Sequence, residues 1–415
     1  MLGIKTKIIG KLQKTLAIQE WSVKKINYWQ KILLLETVKW QLKNEAKQIG
    51  LQNPIASKTN SIVKIVRQKT AAYMPNNLGN WSIKQPYSLT TKVESKLINY
   101  FIQKFQANTK QIAGHFGSGS TEGNIYATWI GRKYLQKKLK TNDCSHIVLL
   151  KNNLSHYSLA KAADVVGVDV AETNISIPEL KTDTNLLMKQ LTILYQQGKR
   201  GFLIPLTLGY TTSGTDDDFM LISKLMKKFE QEMKGAFTFI WLDAAFSGIS
   251  KIYTEKNFEP FKQKNIQLIT SDFHKLLAVP YPASLILYRK ELLQLIAKDI
   301  PYIDQMDTTL LGSRPGNSVL ETFFGLMLIG EKNITANIKK SINLKNDFLS
   351  KFKTSNNFQV INNHNSLQAC LISNNTKMAE KIAKENNLNY INYKLKIKNK
   401  YKTIHLFKLY FLPKF

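Results

Sequence analysis

Four short stretches of this chain carry residue types able to do chemistry. In Ile266–Lys290, two apolar runs (Ile266 to Ile269 and Leu285 to Tyr288) bracket the pair His274-Lys275. A lysine there, its amine freed by burial or by a neighbouring cation, is a nucleophile for a carbonyl carbon. Asp243 closes the apolar run Ile240-Trp241-Leu242, and Ala244, Ala245, Phe246, Ser247 and Gly248 follow it. Those small residues leave room for a flat ligand whose cationic nitrogen a carboxylate can hold. His156 lies in Leu154-Ser155-His156-Tyr157-Ser158, shortly after an apolar run that ends at Leu150. The stretch Gly117-Ser118-Gly119-Ser120-Thr121-Glu122-Gly123-Asn124 leads into the helical pattern of Ile125, Trp129 and Ile130. Small residues let backbone amides approach an anion, hydroxyls add donors, and a helix N-terminus is electropositive. The loop is neither a Walker A loop nor GxGxxG.

Taken singly, each stretch has a plainer account: a charged loop, a helix-capping aspartate, a turn histidine, an ordinary N-cap at Ser120. Taken together they form the kit that pyridoxal 5'-phosphate requires. Its parts are a Schiff-base lysine, an aspartate for the pyridinium nitrogen, a phosphate cup at a helix start and a flat group for the ring. The order along the chain, and separations of 35, 87 and 32 residues from Thr121 through His156 and Asp243 to Lys275, resemble the fold type I enzymes.

The sequence is more closely similar to the group II amino-acid decarboxylases, including the pyridoxal-dependent bacterial histidine decarboxylases. Ser120-Thr121-Glu122-Gly123-Asn124 resembles their GGTEGN loop, and His156 to Ala163 resembles HYSVxKAA. Asp243-Ala244-Ala245 resembles the VDAA strand end, His274-Lys275 the HK pair, and Gly312 to Gly316 the GSRxG segment. The resemblance covers residues 80 to 330. It implies that Lys275 binds the cofactor covalently, that Asp243 pairs with the ring nitrogen and that His156 stacks on the ring. It further implies that Ser120, Thr121, Ala245 and His274 belong to the cofactor-binding set. The reaction implied is decarboxylation of an L-amino acid (histidine, aromatic or acidic) to the amine, in a homodimer with a shared site. Gly312 to Arg314 would then face the partner's cofactor.

Two departures stand out. Ser120 replaces the second glycine of the loop, and Asp272 stands where the family often has Ser or Asn. Asp272 is expected to point away from the phosphate and to pair with a lysine. Ser271 to Lys275 also resembles sphingosine-phosphate lyase, which cleaves a carbon–carbon bond; that lyase chemistry is the alternative. A non-catalytic basic binding protein on the same fold is the other.

The elements that must position these residues follow from periodicity. Strands are expected at His146 to Leu150, Val168 to Ala171, Gly201 to Leu208, Phe237 to Leu242, Ile266 to Thr270 and Leu285 to Tyr288. Helical patterns fall at Asn124 to Leu139, Leu159 to Val166, Leu186 to Gln197, Leu221 to Met233 and Val319 to Gly330. Strands alternating with helices, several of them continuous apolar runs, predict an α/β fold with a mostly parallel sheet. The expected organisation is an N-terminal helical segment (1–75), a large cofactor domain (76–304) and a small C-terminal α/β domain (305–415).

A length of 415 residues with 43% hydrophobic and 10% aromatic residues describes a globular chain with a large core. The net charge of +30 is nearly all lysine, spread along the chain without an RNP, KH or helix-turn-helix pattern, so nucleic acid is not the expected partner. No apolar run reaches the roughly 18 residues that span a bilayer. Cys144 and Cys370 have no metal or disulfide spacing. A reducing, cytoplasmic setting and a small-molecule amino-acid substrate complete the expectation.

Overall fold

Continuous apolar runs become strands buried on both faces, because helices cover both sides of the sheet. The computed structural model describes residues 28, 76–78 and 88–413, excepting 177–178, 278, 280, 302–304, 353–357, 374, 386–389 and 398–399. The expected helical segment 1–75 thus lies almost wholly outside the described residues. The strands are β1 (Asn76–Leu78), β2 (Ile112–Gly117), β3 (Ile147–Asn152), β4 (Asp169–Thr173), β5 (Gly201–Thr207), β6 (Phe237–Asp243), β7 (Ile266–Asp272) and β8 (Ser284–Arg289). Between β1 and β8 run α1 (Ser88–Lys104), α2 (Ser120–Leu139), α3 (Ser158–Val166), α4 (Thr184–Gln196), α5 (Phe219–Glu232) and α6 (Ser247–Thr254).

Seven strands form the main sheet in the order β2-β8-β7-β6-β5-β3-β4. Neighbours from β7 to β4 pair in parallel, while β8 runs antiparallel to both β7 and β2. Every residue of β3, β5 and β7 is buried. One face packs Phe101, Leu191, Phe229 and Ile249 from α1, α4, α5 and α6; the other packs Tyr126, Ile130 and Leu159 from α2 and α3. This is the mostly parallel sheet that the alternation of runs predicts, in the fold type I arrangement that the resemblance implies. Edge strand β4 lies one residue beyond Val168 and is largely exposed, which is why its apolar signal was short.

After β8 come β9 (Lys298–Ile300), β10 (Gln305–Asp307), β11 (Ser313–Pro315), α7 (Gly316–Ile329) and α8 (Glu331–Ser350). The chain then forms β12 (Gln359–Asn362), β13 (Gln368–Ser373), α9 (Thr376–Glu385), β14 (Tyr390–Ile397) and β15 (Lys400–Tyr410). The last four strands make an antiparallel sheet in the order β12-β13-β15-β14. One of its faces packs Ile361, Cys370, Ile372 and Leu406 against Leu154, Ile175, Leu180 and Tyr210. That contact seats the small sheet on the loops at the C-terminal ends of β3 and β5.

Candidate active site

Ligand sites in open parallel sheets lie beyond the C-terminal ends of the strands. Here the ends of β3, β5, β6 and β7, together with the start of α2, surround a cleft of about 280 Å³. Its lining includes Ser120, Thr121, His156, Asp243, Ala245, His274 and Lys275, all seven residues singled out in the sequence.

The anion loop is built by close approach. A Cβ on Gly123 would lie 2.2 Å from Thr270 Oγ1, so only glycine lets the first turn of α2 rest on β7. Gly119 has φ +107°, the left-handed region where glycine is at ease, and as the N-cap residue it has no side chain to cap α2 itself. The helix starts at Ser120, four residues earlier than its apolar pattern. Ser120 to Gly123 therefore form the first helical turn, and Ser118 and Gly119 link it to β2.

Asp243 is 3% exposed. Asn124 Nδ2 donates to its Oδ2 at 2.9 Å, and the Ala245 amide donates to its Oδ1 at 3.3 Å. Burial pushes the carboxyl above its ordinary range, against the Asn124 hydrogen bond and the charges of Lys275 and His156. Burial also draws the His156 imidazole below its ordinary value; Asp243 opposes this and Lys275 reinforces it. Ser158 Oγ lies 2.8 Å from His156 Nδ1. The turn carrying His156 is fixed by Asn152, whose Oδ1 accepts the Leu154 and Ser155 amides at 2.9 Å each. Asn152 Nδ2 in turn donates to the buried Tyr210 hydroxyl, which donates to Asp217 at 2.7 Å.

Lys275 Nζ lies 3.1 Å from Asp272 Oδ2 and 4.5 Å from the centre of the Phe246 ring. Phe246 stacks on Tyr410 of β15 at 5.4 Å, and the Tyr410 hydroxyl donates to the Thr211 carbonyl at 2.6 Å. The small sheet thus braces the cleft wall behind the lysine. His274 is buried beside the lysine; its Nδ1 lies 2.8 Å from the Ala283 carbonyl, which can only accept. Nδ1 therefore donates to that carbonyl, while Nε2 faces Asp272 Oδ2 at 3.4 Å.

Two expectations need correction. Asp272 does pair with a lysine, but it does not turn away from the anion loop. Its Oδ1 accepts the Ser120 amide at 2.8 Å and the Ser120 hydroxyl at 2.7 Å. The helix start and a buried carboxylate satisfy each other, as a negative charge at a helix N-terminus does. Of Gly312 to Arg314, expected to face a partner's cofactor, Gly312 and Ser313 are exposed but the Arg314 side chain is turned inward. It is 4% exposed, with Nη1 2.5 Å from Glu94 Oε1 and 3.0 Å from the Phe116 carbonyl, because a buried guanidinium needs an anion at hand.

The profile of the pyridoxal-dependent decarboxylase conserved domain matches residues 79–373. The chain belongs to the pyridoxal-dependent decarboxylase family. It is 30% identical to a tryptophan decarboxylase of Clostridium sporogenes over 63% of this chain and 63% of the relative. It is 23% identical to a histidine decarboxylase of Vibrio anguillarum, over 61% and 62% respectively. These alignments span less than two thirds of either relative's length. The L-methionine decarboxylase of Streptomyces sp. 590 shares the fold, with a TM-score of 0.75 at 16% identity, over 97% of this chain and 94% of that one.

For a pyridoxal-dependent decarboxylase the implied cofactor is pyridoxal 5'-phosphate, and the cleft fits it. A buried carboxylate with a raised pKa is short of positive charge, which a pyridinium supplies. The buried Thr207 Oγ1 on the lining has no hydrogen-bond partner among the described residues, a donor and acceptor ready for a ring substituent. The start of α2 opens on the cleft through Ser120 and Thr121, so its electropositive end faces the place of a phosphate, with Asp272 already holding the Ser120 amide. Sequence reasoning quoted Asn124 only as a motif letter and did not single out Asn152, Thr207 or Tyr210. Asn124 bonds Asp243 from 119 residues away, a partnership that spacing alone does not reveal.

Proposed function

We propose that this protein decarboxylates an L-amino acid with pyridoxal 5'-phosphate, yielding the amine and carbon dioxide. The observation that carries this reading is that one cleft gathers Lys275, Asp243, His156 and the start of α2, which are scattered over more than 150 residues of sequence. The cofactor, when bound, supplies an electron sink for the pair left on the substrate's α-carbon as carbon dioxide departs. In this reading Asp243 keeps its negative charge against the ring nitrogen and so holds a proton there. His156 covers one face of the ring as a neutral imidazole. Ser120, Thr121 and His274 bind the phosphate, and Ala245 leaves room beside Asp243. Lys275 holds the cofactor to the chain through Nζ and, once released by the incoming amino acid, can carry a proton on that atom. The Phe246 ring, stacked on Tyr410, gives the lysine amine an aromatic wall to lie against.

Histidine, aromatic and acidic amino acids are the candidate substrates; the similar proteins named above include a tryptophan and a histidine decarboxylase. A homodimer is part of the same reading. The exposed apolar side chains of Phe324, Met327 and Leu328 on α7 support it, and sedimentation would measure it. The direct test is incubation of the cofactor-loaded protein with a mixture of the standard L-amino acids, followed by mass spectrometry of the amines. The expected result is one dominant amine with equimolar carbon dioxide. Cleavage between the α- and β-carbons, or a protein that stays colourless with cofactor, would overturn the reading.

A further inference from the structure

Asn124 is wholly buried in the second turn of α2. Its amide could point either way, but the surrounding chemistry allows one orientation. The indole N–H of Trp241 lies 3.0 Å from Asn124 Oδ1, and an indole nitrogen only donates. Nδ2 therefore faces the other way, where it donates to Asp243 Oδ2 at 2.9 Å and to Ser158 Oγ at 3.0 Å. Ser158 accepts from Asn124, so its own proton is free for His156 Nδ1 at 2.8 Å. The Ser158 amide approaches the same nitrogen at 3.3 Å. With two donors on Nδ1, a neutral His156 carries its proton on Nε2. A one-way series of hydrogen bonds thus runs from Trp241 through Asn124 and divides, one branch to Asp243 and the other through Ser158 to His156.

Resting on the decarboxylase reading above, we infer that Asn124 is a positioning residue serving both faces of the site. It stabilises Asp243 in its charged form, since a donated hydrogen bond favours the carboxylate, and through Ser158 it sets the tautomer of His156. Trp241 serves as the anchor that keeps the amide from turning over. A side chain at 124 that cannot donate leaves a buried carboxylate with a weaker hold on its charge, and the penalty falls on recognition of the ring nitrogen.

The test compares the affinity for pyridoxal phosphate with that for its 1-deaza analogue, in which carbon replaces the ring nitrogen. Wild-type protein is expected to prefer the natural cofactor strongly. Asn124→Leu should shrink that preference at least tenfold while leaving affinity for the deaza analogue within about threefold. Trp241→Phe, which frees the amide to turn, should shrink it severalfold and serves if Asn124→Leu does not fold. Asn124→Gln, which retains the donor, should recover part of the preference. An unchanged preference in Trp241→Phe and in any folded Asn124→Leu protein, beside a discriminating wild type, overturns the inference and leaves the decarboxylase reading standing. A wild type that does not discriminate removes Asp243 from its role and takes the inference with it.

Discussion

One oxygen of Asp272 accepts both hydrogens that Ser120 offers, the amide at 2.8 Å and the hydroxyl at 2.7 Å, while its other oxygen lies 3.1 Å from Lys275 Nζ. A carboxylate is thereby fixed between the anion-binding turn and the lysine. It competes with a phosphate for Ser120 and repels it. Asp272→Asn, which keeps the shape and an acceptor oxygen, should tighten cofactor binding by about tenfold, or about 1.4 kcal/mol. A fluorescence titration measures this. An affinity that stays the same would mean that the phosphate binds out of reach of Asp272.

Thr121 lines the same turn. Thr121→Ala should weaken cofactor binding by roughly 1 to 3 kcal/mol, the usual cost of losing a hydrogen bond to a charged group. Equilibrium dialysis of both variants separates donor loss from charge removal, because the two effects have opposite signs.

Lys275→Ala should abolish the visible absorbance band of the loaded protein and its fixation by borohydride, with the circular dichroism of the fold unchanged. A variant that still retained cofactor through denaturation after reduction would assign the covalent link to another lysine.

Asp243→Asn removes the ionic partner of the ring nitrogen. The rate should fall about a thousandfold, or roughly 4 kcal/mol, and cofactor affinity should fall less steeply. Near-normal single-turnover kinetics would reduce Asp243 to a strand-end cap.

Lys345 on α8 offers a pH test away from the cleft. It is fully buried and donates to the carbonyls of Asn363 (2.6 Å), His364 (3.2 Å) and Ser366 (2.6 Å), and burial pulls its ammonium down to about 8. In the unfolded chain the amine titrates near its ordinary value of 10.5. Between those values the unfolded state binds the extra proton, so rising pH favours the folded state, by at most about 1.4 kcal/mol per pH unit. The unfolding free energy of the wild type minus that of Lys345→Met should be flat below pH 8 and climb above it. A difference that falls over that window would place the ammonium, not the amine, as the preferred buried form.

The parallel core was legible because its strands are continuous apolar runs; Phe237 to Leu242 and Ile266 to Thr270 differ from the observed strands by one and two residues. Strand β2 escaped notice because two glycines and His115 dilute its apolar signal, although five of its six residues are buried. The gathering of Lys275, Asp243 and His156 was legible from their order. Their orientation was not. Asp272 was expected to turn from Ser120 on grounds of charge alone, yet a helix start with an uncapped amide welcomes an anion. Asn124 remained a motif letter because its two partners, Trp241 and Asp243, lie on a strand more than 110 residues on.

The edge position of β2 has a consequence in time. Its sheet neighbour is β8, and the pairing joins Ile112 to Arg289. A growing chain can lay β3, β5 and β6 side by side, with Asp243 at the end of β6 and His156 in the turn after β3, before β8 has been made. The strand that delivers the anion-binding turn must wait for β8, which follows Lys275 by only a few residues. Closing so long a loop is slow relative to local pairing. Lys275 and the sheet pairing of β2 therefore arrive together and late, so a partly synthesised chain presents cofactor with a site that lacks its covalent anchor.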